Sequence, residues 1–471
     1  MKVFLFNPPG PQGRGYIREG RCTQETGVWA TLWPPVSLAT AAAMLNDDGH
    51  QVTVVDFPAA GRDLSALVEF VRYHRPDIAI WNTGTPTLPF DLHLAGLIKS
   101  ESHETITGVI GTHVTVHPDE ALQETALDVV IRAEPENIIR NLCNNYNSTW
   151  ENVRGISYRG RKDRNIRHNP PEDFLAPDAI PHPAWHCMDI RPYRLPLKGR
   201  PFLIVAPIRG CPYHCSFCTA PVYYGSKLRA RPVENVMDEM EENITRHGVS
   251  EFFIWADTFT VNRDYVKRFC QAIKDRNLKV SWTCNSRVDT VDTELLGMMK
   301  ETGLWMISFG LESGSDAILN RMRKKIAVSQ SREAVVAANR LGIKVAGHFI
   351  LGLPGEKKET MEQTLALALE LPLDIAQFYA AAPFPGTRLY DEALRNGWIK
   401  NRDSARFCSQ SEAVLDLPDL PADQVKTFRQ YAYRRFYSRP RAIKRILSMV
   451  EPGAVKVAAV NLKRFLKWAV S

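Results

Sequence analysis

Short apolar runs separated by helical periods fill the first 145 residues. The runs 2–7, 51–57, 78–83, 107–112 and 128–132 end in turn-forming residues, and apolar positions recur at helical spacing over 36–47 and 63–74. Apolar strands alternating with helices predict a doubly wound, Rossmann-like parallel sheet, with ligands at the carboxyl ends of its strands. Periodicity lapses over 146–200, where Pro, Arg and Asp accumulate and a connector is expected. Arg191, Arg194, Lys198 and Arg200 cluster at its end and read as solvated, with contact to an anionic group as the alternative. Alternation returns over 201–400, with apolar runs at 202–207, 251–256, 280–285, 305–309, 345–351 and 375–382. Helices begin near Val233, Arg263, Thr293, Ser315, Ser331 and Lys358, which predicts a partial (β/α)6 barrel with its chemistry at the strands' carboxyl ends.

Residues 401–471 depart from both patterns. Ile443, Ile446, Leu447 and Val450, then Leu462, Phe465, Leu466 and Trp468, fall at helical spacing among Lys and Arg. The expectation is a basic helical extension lying on an anionic membrane surface, with packing against the barrel rim as the alternative. Of the 59 Lys/Arg and 52 Asp/Glu, 12 and 2 lie within 421–471, so that segment is +10 and the other 420 residues are −3. A slightly acidic body is a poor match for nucleic acid, and none is expected as a partner.

At 471 residues, 44% hydrophobic and 24% charged, the chain has room for two or three ordinary globular domains. No run approaches the roughly 18 uncharged apolar residues of a membrane span. The N-terminal Met-Lys-Val-Phe-Leu-Phe reads as a strand rather than a signal peptide. Nine cysteines in a chain of this length make no disulfide framework, and a reducing cytoplasm is expected.

Three of them, Cys211, Cys215 and Cys218, stand at Cys-x3-Cys-x2-Cys spacing just after the run 202–207. Three thiolates on a tight loop suit three irons of a cubane cluster and leave the fourth iron open to a small molecule. A structural zinc site is the rival, but it normally closes with four ligands, and His214 sits inside the loop rather than on a separate arm. Cys22, Cys143, Cys187, Cys270, Cys284 and Cys408 show no ligand spacing and read as packed side chains, although Cys284 sits at a strand end that can face a cavity.

The cysteine triplet resembles the signature of the radical S-adenosylmethionine (SAM) superfamily. The resemblance implies a [4Fe-4S] cluster on Cys211, Cys215 and Cys218, SAM chelated at the unique iron, and Phe217 near the adenine. It also implies reductive cleavage of SAM to a 5′-deoxyadenosyl radical. Motifs at successive strand ends extend it. Asp257 and Thr258 stand where the family's acid receives the SAM ammonium, in a sequence that lacks the usual glycines. Asn285 and Arg287 are donors for the SAM carboxylate or ribose, and Glu312, in Gly-Leu-Glu-Ser-Gly, is the ribose acceptor. Gly347 and Gly352 match the pattern that lets adenine lie against backbone, but the surrounding motif is longer than usual, which leaves the roles of Gly347 and Glu356 open.

The first 145 residues resemble the cobalamin-binding domain of one branch of that superfamily, through the runs 32–36, 111–115 and 128–136. On this reading 1–145 is the cobalamin domain, 146–200 a linker, 201–400 the radical SAM core and 401–471 the basic extension. The implied cobalamin contacts are Asn82, Thr83, Thr85, Gly111, Thr112, His113 and Glu134. Asp91-x-His93-x-x-Gly96 matches the cobalt-ligating motif of cobalamin mutases. Here it lies within a helix rather than after a first strand, and His93 reads as a helix-surface residue.

The implied reaction is cobalamin-dependent methylation of an unactivated carbon in a lipid-like or secondary-metabolite substrate. The alternative is radical rearrangement or cyclisation, since the texture is nearest to hopanoid-associated and anaerobic magnesium-protoporphyrin ester cyclase-like members. A non-catalytic iron–sulfur sensor is a reading from another class. The implied partners are a small-molecule or lipid-linked substrate and an external one-electron reductant of the flavodoxin or ferredoxin type. The expected place is the cytoplasm, peripheral to the inner face of the membrane.

Overall fold

The computed structural model describes residues 1–19, 23–26, 31–160, 163–401, 403–408 and 412–454. Cys22 and the predicted helix over 455–470 lie outside them. The first sheet holds β1 (Lys2–Asn7), β2 (Gln51–Asp56), β3 (Ile78–Asn82), β4 (Ile106–Ile110), β5 (Val129–Ile131), β6 (Ile156–Arg159) and β7 (Ile166–His168). Their order is β2-β1-β3-β4-β5-β6-β7, parallel through β5 and antiparallel after it. Residues 3–7 of β1 and all of β3 are buried, as strands covered by helices on both faces must be. The order reverses between β1 and β3, where a doubly wound sheet opens its ligand crevice. At that point the Asn82 side-chain amide donates to Asn7 Oδ1 at 2.9 Å.

The segment 146–200 is more than a connector. Its strands β6 and β7 complete the first sheet, so this layer runs to residue 168 rather than 145. Short edge strands with polar outward positions leave no apolar run to read. The rest of the segment is bonded to both domains: Ala184 N–H donates to Ala39 O (2.9 Å) and the Tyr193 hydroxyl to Asp56 (2.9 Å) on the first, and His182 pairs with Glu242 (2.8 Å) on the second. Lys198 is not solvated, for it pairs with buried Glu251 at 2.8 Å.

The second sheet holds β8 (Phe202–Val205), β9 (Glu251–Ile254), β10 (Ser281–Ser286), β11 (Leu304–Glu312), β12 (Lys344–Leu351) and β13 (Ile375–Ala380). They are parallel and lie in chain order, and β8 and β13 have one neighbour each among the described residues. The barrel is therefore open at a seam. Along β10, β11 and β13 buried residues alternate with half-buried ones, and the half-buried set faces an internal cavity.

The tail closes this barrel on two sides. The helix Ala422–Tyr437 lies along β13, where the Tyr433 hydroxyl accepts from Phe378 N–H (3.1 Å) and Tyr437 bonds both backbone groups of Ala376. Two tyrosines one helical turn apart thus occupy the free edge of the last strand. Helix Pro440–Leu447 follows, and Ile446, Met449 and Val450 pack on Leu197, Met306, Ala346 and Ile375 at the amino ends of the strands. Glu451 N–H donates to Leu197 O (2.9 Å), and its carboxylate pairs with Arg200 (2.7 Å). For 442–450 this is the packing alternative rather than a helix lying free. Ile443 and Leu447 remain 47% and 66% exposed. Among the described residues no helix is long and apolar enough to cross a membrane.

Candidate functional site

The cysteine loop leaves β8 through a two-residue antiparallel ladder, Ile208–Arg209 with Arg229–Ala230. Gly210 has φ +83°, and a Cβ there would lie 2.2 Å from Lys227 O, so only glycine fits the turn. Backbone bonds pin the rest: Cys211 N–H to Gly225 O (3.2 Å), Ser216 N–H to Met322 O (2.9 Å) and Leu389 N–H to Ser216 O (2.9 Å). Arg209, fully buried, anchors the ladder on the first domain through Glu134 (2.5 Å) and Glu136 (2.8 Å), and Arg229 adds Glu134 at 2.9 Å.

All three cysteines line one cavity of about 410 Å³ that descends into the barrel. Burial pushes the Cys215 thiol up to about 11, against the pull of the Lys324 and Arg287 charges. A buried thiol binds a metal only once its proton has been displaced to solvent. Among the described residues no three His, Cys, Asp or Glu side chains converge as a single ion requires. A tetrahedral zinc needs that convergence, whereas a cubane meets each cysteine at a different iron. The donor set fits the cluster.

Around the loop, Phe217, Asp257, Thr258, Asn285 and Glu312 line the same cavity. Thr258 Oγ1 lies 4.0 Å from Cys211 Sγ. Arg287 behaves differently from expectation. Its fork is taken by Asp289 (2.9 Å twice), it donates to Lys324 O (2.8 Å), and its plane sits 3.7 Å over the Tyr213 ring. One further N–H lies 3.9 Å from Cys215 Sγ. Glu312, at φ +62°, is bonded by buried Lys324 at 2.6 Å. Gly310 makes room for that pair, since a Cβ there would lie 2.5 Å from Glu312 Oε1.

Of the barrel expectations, those for Gly347 and Gly352 are corrected, and Glu356, whose role the sequence leaves open, takes a structural one. Gly347 faces away from the cavity and packs on Leu311 and Leu373; Gly352 (φ +82°) packs on Val425 of the tail helix. Glu356 accepts from Gly352 N–H (2.6 Å) and Leu353 N–H (3.0 Å), so it clamps that turn, and burial pushes its carboxyl up to about 7. Cys284 is packed in the core, in line with its lack of ligand spacing, and not in the cavity.

On the first domain Thr83, Gly111 and Thr112 line a small second pocket with Arg18, Glu19 and Tyr223. Gly111 (φ +149°) lets the backbone approach Thr83 O, where a Cβ would lie at 2.2 Å. That glycine is needed for the close packing of two strand-end loops, at the end of the sheet where a doubly wound fold takes its ligand, and the pocket there is about 10 Å³. The other expected side chains are engaged elsewhere: Asn82 with Asn7, His113 with Thr85 (3.1 Å) and Glu120 (3.3 Å), Glu134 with the two arginines. His93 is exposed on its helix, and Asp91 is buried against Arg18, Thr83 and Thr87. Glu19 borders both pockets, held by Ser37 N–H (3.2 Å) and Oγ (3.0 Å), and burial pushes it up to about 7. Arg18, Glu19 and Lys324 were not expected; each stands in a loop with no motif or period.

Residues 205–368 match the radical SAM superfamily, and residues 26–143 match the B12 binding domain. An uncharacterised methyltransferase of Pyrococcus horikoshii is 31% identical over 448 residues, covering 94% of both chains. This chain belongs to the cobalamin-dependent radical SAM methylase family. The radical SAM enzyme is also 29% identical over 427 residues to the anaerobic magnesium-protoporphyrin IX monomethyl ester cyclase of Cereibacter sphaeroides, covering 87% of this chain and 68% of the cyclase. Its fold matches the radical SAM methyltransferase TsrM of Kitasatospora setae at TM-score 0.70 and 15% identity, over 96% of this chain and 90% of that one. Its cofactors are a [4Fe-4S] cluster, SAM and cobalamin.

Proposed function

We propose that this radical SAM enzyme methylates a carbon of a small molecule held in the barrel, drawing electrons from an external one-electron donor. The observation that carries the reading is one continuous cavity bordered by Cys211, Asp257 and Lys324 of the barrel and by Glu19 and Trp33 of the first domain. When bound, the cluster supplies the electron that splits the sulfonium of SAM, and cobalamin supplies the methyl group. Cys211, Cys215 and Cys218 hold the cluster. Asp257 and Thr258 receive the SAM ammonium, Asn285 and the Glu312–Lys324 pair hold its ribose and carboxylate, and Phe217 borders the adenine. Thr83, Gly111 and Thr112 admit the tail of the corrin. The packed floor at Met449 and the apolar walls keep water from the reacting atoms.

Product analysis after anaerobic turnover with methyl-labelled SAM tests this. Label in the product supports methyl transfer. 5′-Deoxyadenosine without transferred label overturns it in favour of cyclisation or rearrangement, the reading that similarity to the cyclase supports. The tail's contact with an anionic membrane surface belongs to the same proposal, supported by Ile443 and Leu447 exposed one turn apart beside Lys444. Co-sedimentation with anionic vesicles that persists in an I443E/L447E variant would sink that part.

A further inference from the structure

The wall of the cavity carries a polar chain that none of the cofactor contacts uses. His348 on β12 and Gln377 and Tyr379 on β13 all face the cavity. His348 pairs with Gln377 across the ladder, and Ile350 with Tyr379 one row above. His348 Nδ1 lies 3.3 Å from the Tyr379 hydroxyl, with the rings stacked at 5.9 Å, and Tyr379 donates to Gln377 Oε1. With its oxygen so engaged, the donors Gln377 has left for a molecule in the cavity are its amide N–H groups. One row below lie Ala346 and Ile375, and the floor is Trp305, Met306 and Phe253, the last packed edge-on against Trp33 at 4.9 Å.

Charge narrows the occupant further. Among the described lining residues the cations are Arg287 and Lys324, and both are paired, to Asp289 and Glu312. Glu19, Asp257 and Glu312 add negative charge to the same walls. Among the described lining residues an anionic substrate would therefore meet no unpaired cation to offset its lost hydration.

We propose that the barrel takes an uncharged, largely apolar substrate whose single carbonyl or hydroxyl oxygen accepts from the Gln377 amide, with Tyr379 and His348 as positioning residues. This rests on the proposed function above for its site, and it names the substrate class. Hydrogen bonding through Tyr379 polarises and orients the amide, and the aromatic floor seats the apolar body.

The test is calorimetric titration of the anaerobically reconstituted holoenzyme with three probes of one shape: 2-acetylnaphthalene, 2-ethylnaphthalene and 2-naphthoate. The ketone is expected to bind about fivefold more tightly than the hydrocarbon, the size of one net hydrogen bond, and the anion at least about tenfold more weakly than the ketone. In Gln377→Leu the ketone and hydrocarbon should bind alike, with hydrocarbon affinity kept; Tyr379→Phe should narrow the gap. Loss of both affinities together in Gln377→Leu, an unchanged gap, or tightest binding by naphthoate would overturn the inference. The same wild-type sample is assayed for 5′-deoxyadenosine, whose absence would overturn the radical reading without touching the probe selectivity.

Discussion

The Tyr437 hydroxyl donates to Ala376 O at 2.8 Å and accepts from Ala376 N–H at 3.2 Å, so one side chain satisfies both backbone groups of a residue on the open edge of β13. Tyr437 is buried, and these backbone groups have lost their water. Tyr437→Phe removes donor and acceptor while keeping the ring. The expected loss is about 1–3 kcal/mol in chemical denaturation, the cost of buried groups left unpaired, with Tyr437→Leu losing more through the ring. A change within experimental error would mean that the edge is not held this way.

Cluster binding should separate the cysteines by position rather than by number. Cys215→Ala is expected to lose the iron and the visible absorbance of the reconstituted protein. Cys270→Ala and Cys284→Ala should keep both, since those thiols are buried in the core with burial pushing them up. Iron and sulfide analysis after anaerobic reconstitution checks this. Iron lost from Cys284→Ala at unchanged secondary structure would refute it.

Arg209 holds the domains together through a buried pair of carboxylates. Removing it leaves Glu134 and Glu136 without their common partner, and Arg209→Met is expected to cost about 3–5 kcal/mol. Glu136→Gln should be milder, because burial already raises that carboxyl and the amide stays neutral. Urea unfolding of the three proteins ranks them, and a ranking with Glu136→Gln as the weaker protein would contradict the account.

Glu356 makes stability fall with rising pH. Its folded pKa, about 7, lies above the ordinary value of 4.5, so the native state binds more protons than the unfolded one between those values. The contribution is full below about 4.5 and is lost as pH rises through 7, by about 3 kcal/mol at most. Glu19 acts in the same sense. Unfolding free energies at pH 5 and pH 8 should differ less in Glu356→Gln than in wild type, and an equal or larger difference would remove Glu356 as the cause.

What could be read before folding was what local chemistry dictates. The Cys211–Cys218 loop and the six barrel strands announce themselves through spacing and apolar runs, and both lie where expected. Asp257, Thr258 and Asn285 were placed by following strand ends. Gly347 and Gly352 were misread because a glycine pattern does not say which face of a strand it serves; here Leu373 and Val425 occupy the space. Glu134 was assigned to cobalamin because its partners, Arg209 and Arg229, are distant in sequence and belong to the other domain. The polar chain of His348, Gln377 and Tyr379 has no motif: it exists only because two strands align in register.

The floor built by Ile446, Met449 and Val450 gives the barrel the topology of a well instead of a tunnel. The tail thus shields whatever sits beside Gln377 from water on the amino-end side of the barrel.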